Sequence, residues 1–243
     1  MTNETTVVSE PKLKPLKYYA AVTRAIREEM RRDDSVVLLG EDVGAAGGIF
    51  AQTRGLFEEF GPLRVRDTPI AEAGFTTLAV GAAMTGLRPV VEIGFEDFLT
   101  ACMDSIVNQG AKLRYMLGGQ VDIPVTLYTF GSGGVNAGPQ HSQSLAAWFA
   151  HVPGLKVVQP ASARDVLGLM KTAIRDNNFT LVLLSKLLIG STEPAPGEDE
   201  DFIVPFGQAN VLREGSDATL VAIGATVPAA LAAAKTLAEE GVA

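Results

Sequence analysis

Apolar residues alternate along the chain between two patterns, one typical of buried strands and one typical of helices. Short, mostly apolar runs match strands that are covered on both faces of a sheet. They are SVVLLG (35–40), VVEIGF (90–95), IPVTLYTF (123–130), LKVVQP (155–160) and TLVLLSK (180–186). Helical segments separate them, at 18–32, 52–60, 97–117, 142–151 and 163–175. This alternation predicts an α/β fold with helices on both faces of a parallel sheet.

The same pattern divides the chain. Residues 1–15 are polar and contain proline, which predicts a flexible tail, and 16–191 form the predicted α/β domain. An acidic stretch, TEPAPGEDEDF (192–202), is typical of a solvated linker. After it, DATLVAIG and TVPAALAAAKTLAEEG predict one further strand and one helix. Because one strand and one helix do not make a domain, we expect 203–243 to be the start of an incomplete second α/β domain.

Charge and cysteine content narrow the class of protein. The 243 residues include 28 acidic and 20 basic side chains, a net charge of −8, which argues against nucleic acid or an anionic membrane as the main partner. No apolar run is as long as a membrane span, and no secretory signal pattern is visible. Cys102 is the single cysteine, so an internal disulfide is excluded. We therefore expect a cytoplasmic protein.

Ligands of open parallel sheets bind beyond the carboxyl ends of the strands, and four predicted loops there carry suitable chemistry. Glu41 follows the first predicted strand, and Glu72 begins an apolar helical segment. Phe95 and Phe98 follow VVEIGF, and His141 lies in the glycine-rich loop GSGGVNAGPQHSQS. These residue types indicate a carboxylate and a histidine near an aromatic pocket.

Each of these residues also has a plainer interpretation. No basic residue lies between 66 and 88, so Glu72 either contacts a ligand or stabilises the helix dipole from the first turn. For Phe95 and Phe98, packing in the core is the simpler explanation. His141 stands on a long loop, which favours function, whereas His151 matches a structural residue at a helix end.

Several familiar sites are missing from the sequence. The two histidines and one cysteine form no metal-binding spacing, and neither glycine-rich loop matches a phosphate-binding or dinucleotide-binding motif. No Gly-x-Ser-x-Gly follows a predicted strand. The residues taken alone therefore lead to an α/β ligand-binding domain and no further.

Taken together, the motifs resemble the beta subunit of the thiamin-diphosphate-dependent component of 2-oxo acid dehydrogenase complexes. They are GEDVG (40–44), RDTPIAEAGF (66–75), GLRPVVEIGFEDF (86–98), NQGAKLRYMLGG (108–119), QHSQSLAAWFAHVPGLKVVQP (140–160) and AIRDN (173–177). They occur in family order and cover about residues 17–225. The resemblance implies the transketolase-like pyrimidine-binding fold.

The resemblance also implies a role for each candidate residue. The glutamate of TPIAE, here Glu72, hydrogen-bonds a ring nitrogen of the cofactor's aminopyrimidine and so helps to activate the cofactor. Phe98 matches the aromatic residue that stacks on the pyrimidine, with Phe95 beside it. His141 matches a histidine that assists at the reacting carbonyl or in acyl transfer, and Glu41 lies near the cofactor at a subunit interface.

Metal ions and partners follow from the same resemblance. Some family members bind potassium through backbone carbonyls that match Val125, Ala173, Ile174, Asp176 and Asn178. The diphosphate and Mg²⁺ are held by a Gly-Asp-Gly motif of the alpha subunit, and this sequence contains no Gly-Asp-Gly. We therefore expect an alpha subunit as partner, in an alpha2beta2 assembly, and a lipoyl-bearing acyltransferase core.

The implied reaction is oxidative decarboxylation of a 2-oxo acid with acyl transfer to a lipoyl group. DTPIAE and QHSQS are closer to pyruvate-type and acetoin-type members than to branched-chain members. Two alternatives stay open. One is a truncated, non-catalytic subunit that only binds an alpha subunit. The other, less favoured, is a transketolase-type or deoxyxylulose-phosphate-synthase-type enzyme, since those carry both halves of the site on one chain.

Overall fold

A computed structural model describes residues 13–198 and 201–243. Its strands are β1 (Lys14–Lys17), β2 (Val36–Gly40), β3 (Val65–Asp67), β4 (Arg88–Phe95), β5 (Thr126–Gly131), β6 (Lys156–Val158), β7 (Thr180–Ser185) and β8 (Thr192–Ala195). Six of them form one parallel sheet in the order β3-β2-β4-β5-β7-β6. The predicted parallel sheet is thereby confirmed.

Helices cover both faces of this sheet, as the apolar pattern predicts. The α-helices are α1 (Tyr18–Arg32), α2 (Leu56–Phe60), α3 (Glu72–Met84), α4 (Leu113–Met116), α5 (Ala146–Ala150), α6 (Ala163–Arg175) and α7 (Thr226–Glu239). Short 3₁₀ helices span Glu96–Cys102, Pro139–His141 and Lys186–Leu188, and a π-helix spans Ser105–Gly110. Helices α1 and α6 pack together on one face, while α3 and α5 lie on the other.

The core consists of two apolar layers separated by the sheet. Val182 and Leu184 of β7 belong to the layer under α1 and α6, while Leu181 and Leu183 belong to the layer under α3 and α5. This alternation follows from the period of two residues in a strand. Because both faces are covered, β7 is apolar at nearly every position, which is why its sequence reads as an unbroken run.

The helices predicted at 52–60 and 142–151 are shorter in the structure, α2 and α5, and two further predicted elements are wrong. The segment 97–117 is three short helical pieces and not one helix, and the ring of Phe179 packs so closely on Gly110 that a Cβ atom there would overlap it. DATLVAIG (217–224) forms no strand, although α7 follows as expected. A strand needs a neighbour for its backbone hydrogen bonds, and none of the described residues pairs with this segment.

A two-stranded antiparallel ribbon joins the beginning of the domain to its end. Strand β1 pairs with β8, so Lys14 and Pro15, assigned above to a flexible tail, are in a strand. The first four residues of the stretch assigned to the acidic linker form β8. Residues 1–12, 199 and 200 lie outside the described part of the chain. Both strands contain proline and charged side chains, so a search for apolar runs does not find them.

The strand order defines one crevice at the carboxyl edge of the sheet. The chain leaves β2 toward β3 and leaves β4 toward β5, which are opposite directions along the sheet. In open parallel sheets, such a reversal opens a crevice that binds ligands. Glu41 directly follows β2, and Phe95 ends β4. Glu41 and Phe95 therefore lie at the reversal.

Candidate active site

Glu41 lies in the loop that leaves β2 and is partly buried. Its Oε1 atom is inaccessible to solvent and has no hydrogen-bond partner among the described residues. Burial raises the pKa of this carboxyl above its ordinary value, and the negative charges of Glu72 and Asp42 raise it further. Glu41 thus holds a buried acceptor atom that is available to a ligand.

Glu72 is the first residue of α3 and is partly exposed. Its side chain forms neither a hydrogen bond nor an ion pair with any residue in the described ranges 13–198 and 201–243. A carboxylate in the first turn stabilises the helix dipole by only about 0.3–1 kcal/mol. The interaction with the dipole occupies neither carboxylate oxygen, so both are free to bind a ligand.

Three rings from the end of β4 and the loops after β4 and β5 form an edge-to-face group. The imidazole of His141 lies 4.6 Å from the ring centroid of Phe95 and 5.3 Å from that of Phe98, with interplanar angles of 81° and 86°. The two phenylalanine centroids are 6.1 Å apart. All three side chains are only partly buried, so their free surfaces border the crevice. The structure thus brings the loops after β4 and β5 together.

A buried carboxyl behind the crevice was missed by the sequence analysis. Glu92 in the middle of β4 is 1% exposed, and its Oε1 accepts a hydrogen bond from the side-chain amide of Gln52. Burial raises its pKa to about 8, and the nearby charge of Glu41 also raises it. A lone glutamate within the apolar run VVEIGF was the signal that could have revealed it.

Three further charged side chains are buried next to the aromatic group and were also missed. Glu96 and Asp97 follow β4, and Lys186 follows β7. Each is at most 3% exposed. Their positions directly after apolar strands could have marked them, because the end of a parallel strand leads into the crevice.

The family model of the transketolase pyrimidine-binding domain matches residues 14–191, which hold the whole parallel sheet and the crevice. The chain belongs to this family. The model of the transketolase C-terminal domain matches residues 207–243, which contain α7.

Curated relatives in the family are subunits of larger enzymes. The chain is 46% identical over 224 residues to "Pyruvate dehydrogenase E1 component subunit beta-2, mitochondrial" of Oryza sativa subsp. japonica, covering 91% of this chain and 60% of that one. It is 43% identical to "Acetoin:2,6-dichlorophenolindophenol oxidoreductase subunit beta" of Bacillus subtilis, covering 91% and 68%. The chain thus spans about 60% of the length of the rice protein.

A solved structure of the family has the same fold. It is titled "Split gene transketolase, inactive beta4 tetramer" and superimposes with a TM-score of 0.76 at 25% sequence identity. The match covers 94% of this chain and 69% of that one. The transketolase-like fold expected from the sequence is therefore confirmed.

The five positions at which the resemblance leads us to expect potassium lie at the opposite, amino edge of the sheet. Val125 precedes β5, while Ala173 and Ile174 are in the last turn of α6. Asp176 and Asn178 lie between α6 and β7. The five positions are close together but remote from the crevice. Two of their carbonyls, Ile174 O and Asp176 O, accept hydrogen bonds from the Arg88 guanidinium at 3.0 and 3.1 Å.

Side-chain metal ligands give no alternative. Within residues 13–198 and 201–243, no three His, Cys, Asp or Glu side chains are grouped closely enough to hold an ion.

In the same ranges, no helix combines the length and apolar character needed to cross a bilayer.

Proposed function

We propose that this chain is the beta subunit of the thiamin-diphosphate-dependent component of a 2-oxo acid dehydrogenase complex. The reaction is oxidative decarboxylation of a small 2-oxo acid of the pyruvate type, or cleavage of acetoin, with acyl transfer to a lipoyl group. The observation that carries the proposal is Glu72, a carboxylate without a described partner at the crevice of a pyrimidine-binding domain. Similarity to pyruvate and acetoin enzymes supports the choice of substrate.

The crevice fits an aminopyrimidine. Glu72 offers free carboxylate oxygens, the buried Oε1 of Glu41 lacks a partner among the described residues, and Phe98 presents a partly exposed ring. A planar heterocycle with ring nitrogens and an amino group supplies what this set lacks: a flat face for the ring and hydrogen bonds for the carboxylates. When bound, thiamin diphosphate supplies the electron sink for decarboxylation.

The residues of this chain orient that group and manage protons. Glu72 would hold a hydrogen bond to a ring nitrogen of the aminopyrimidine and so would stabilise a proton there. The ring of Phe98 would provide a stacking surface for the pyrimidine, while Phe95 packs against His141 from the side. His141 would donate a proton or hydrogen bond near the reacting carbonyl. The buried Oε1 of Glu41 would accept a hydrogen bond from the bound group.

The surface around the site supports a protein partner. Helix α3 is apolar on nearly all sides, yet Leu78 is 65% exposed and Ile70, just before the helix, is 83% exposed. A helix that is apolar all round is normally buried, and an exposed apolar patch beside a site marks an interface. We propose an alpha subunit here, in an alpha2beta2 assembly that also supplies the Mg²⁺ and diphosphate ligands. A lipoyl-bearing acyltransferase core is the further proposed partner, and potassium is the proposed occupant of the amino-edge carbonyls.

The proposal is tested by co-expressing this chain with an alpha subunit encoded beside it. The purified complex is assayed for decarboxylation of pyruvate and for acetoin cleavage, with thiamin diphosphate, Mg²⁺ and a dye as electron acceptor. We expect turnover that depends on both chains and is lost in the Glu72→Gln variant. A stable complex that binds thiamin diphosphate but turns over neither substrate would refute the catalytic assignment and leave the non-catalytic one.

A further inference from the structure

Three buried charges have no part in the proposed chemistry. Glu96, Asp97 and Lys186 are 1%, 3% and 3% exposed, beside the aromatic group of the crevice. Charged side chains are almost never buried so fully unless they are paired or hydrogen-bonded. Their partners in the structure therefore indicate what they do.

Lys186 binds the backbone of the residue that carries the imidazole. Its Nζ donates a hydrogen bond to the carbonyl oxygen of His141. The same ammonium lies 5.2 Å from the centroid of the Phe95 ring, against which the imidazole also packs. Burial lowers the pKa of Lys186, and the negative charges of Asp97 and Glu96 oppose that shift. One buried ammonium thus contacts both the loop and the ring that supports the imidazole.

The carboxylates of Asp97 and Glu96 bind two further residues of the same loop, Gln143 and Leu145. Asp97 Oδ1 accepts from the backbone N–H of Gln143 at 3.1 Å and from its side-chain amide at 2.8 Å. Glu96 accepts from the backbone N–H of Leu145. Residues 141, 143 and 145 are therefore each bound by one of the three charges. Hydrogen bonds to ionised groups are about twice as strong as neutral ones, and burial strengthens them further.

The neighbouring strand is shaped to admit this arrangement. Gly131 ends β5, and a Cβ atom at that position would overlap Glu96 Oε2. The carboxylate therefore occupies space that a side chain on β5 would otherwise fill. Glu96 and Asp97 directly follow β4, and Lys186 directly follows β7, so the loop after β5 is bound to the ends of both neighbouring strands and not merely to its own turn.

We infer that Lys186, Glu96 and Asp97 are positioning residues. Together they fix the loop that carries His141 and so hold its imidazole at the crevice. The inference rests on the proposed function for the catalytic use of His141, but the positioning itself is a property of this chain. A displacement of about 1 Å in a reacting group can cost about 100-fold in rate. A buried ammonium that donates to the His141 carbonyl can prevent such a displacement, whereas a glycine-rich loop without this contact cannot.

The kinetic test compares Lys186→Met and Lys186→Arg in the complex with the alpha subunit. We expect Lys186→Met to lower kcat about 10–100-fold with little change in KM, and Lys186→Arg, which keeps a cationic donor, to recover much of the loss. Added to His141→Ala, Lys186→Met should cause no further loss in kcat. Equal fractional losses in both backgrounds would show that Lys186 does not act through His141.

A spectroscopic test is independent of turnover. The chain has two histidines, so ring-labelled histidine gives two NMR signals, with His151 as internal reference. We expect Lys186→Met to move the His141 signal away from its ring-current-shifted position and to leave His151 unchanged. As matched control, Lys171→Met removes another lysine that is 2% exposed, but one that binds Glu28 and Asp201 on the opposite face of the sheet. It should leave both signals unchanged.

The two tests separate this inference from the proposed function. An unchanged His141 signal in folded Lys186→Met overturns the positioning role, whatever the enzyme catalyses. A displaced signal in Lys186→Met, together with a wild-type complex that binds thiamin diphosphate but turns over neither substrate, supports the positioning role and refutes the catalytic assignment. If Lys186→Met does not fold, Asp97→Ala serves as the second variant. It removes the carboxylate that accepts from Gln143 on the other side of the loop. It should displace the same signal, and its failure to do so overturns the inference.

Discussion

The carboxyl groups of Glu41 and Glu72 lie close enough for their charges to interact. Burial is the main cause that raises the pKa of Glu41, and the negative charge of Glu72 is the next. Two carboxylates from different loops thus converge on one crevice without a described cation between them. Such an arrangement is costly for the isolated chain and becomes favourable when a ligand donates hydrogen bonds to both.

Replacing Glu72 tests its role as the carboxylate that activates the cofactor. Glu72→Gln should lower kcat by more than about 100-fold, since a neutral amide does not stabilise a proton on the ring nitrogen. The melting temperature should change by no more than a few degrees, because the side chain binds no described residue and a carboxylate in the first turn contributes only about 0.3–1 kcal/mol. Glu58→Gln, in the first turn of α2, is a matched control and should retain full activity. Near-normal turnover by the Glu72 variant would remove this residue from the mechanism.

Glu92 should make stability depend on pH. Its folded-state pKa of about 8 lies above the ordinary value of 4.5, so its contribution to stability is complete below pH 4.5 and is lost as the pH rises through 8. Glu92→Gln resembles the protonated acid and should remove this dependence, which we expect to be on the order of a few kcal/mol.

Urea unfolding of wild type and Glu92→Gln at pH 5 and pH 9 measures this effect. The variant should match wild type at pH 5 and be more stable at pH 9. Glu214→Gln, an exposed change, should follow the wild type at both values. A variant that is less stable than wild type at pH 9 would show that the ionised carboxylate is tolerated in the fold.

Gly131 should tolerate no side chain. Gly131→Ala places a methyl group on Glu96 Oε2, and the overlap should cost about 1–3 kcal/mol of the free energy of unfolding. Gly133→Ala is the matched control, since a Cβ atom there meets nothing within 4 Å. Chemical denaturation of both variants measures the difference, and equal stabilities would mean that Glu96 can vacate this space at no cost.

Potassium should stabilise the chain if the carbonyls near the amino edge of the sheet bind it. A ligand that binds only the folded state raises the unfolding temperature in proportion to RT ln(1 + [L]/Kd). We expect a higher melting temperature in KCl than in choline chloride of equal ionic strength. Identical melting curves would mean that potassium does not bind these carbonyls. The Arg88 guanidinium, which already donates hydrogen bonds to Ile174 O and Asp176 O, would then occupy the place of the ion.

The apolar pattern predicted the sheet and the helices that depend on burial. Helices α1 and α6 match the predicted ranges because their apolar stripes are regular, and β7 matches because both of its faces are covered. Strand β3 was missed because Val65–Asp67 has a single apolar residue. The spacing of apolar residues reveals an element with a buried face. It does not reveal a short edge strand such as β3, which is defined only by its backbone hydrogen bonds.

The site was predicted unevenly for a physical reason. Glu41, Glu72, Phe95, Phe98 and His141 follow strands in sequence, so the rule that parallel strands share a carboxyl edge was enough to group them. Lys186 contacts the loop of His141 from 45 residues away. Such a contact depends on which strands become neighbours, and the sequence pattern does not specify that β5 adjoins β7.

The two outer strands of the sheet, β3 and β6, have only three residues each. Arg66 and Asp67 lie in β3, and Lys156 begins β6. Short outer strands with charged side chains are poor templates for another chain, because few backbone groups are free and each added strand must accommodate the charges. Growth of a continuous intermolecular sheet is therefore disfavoured at both margins.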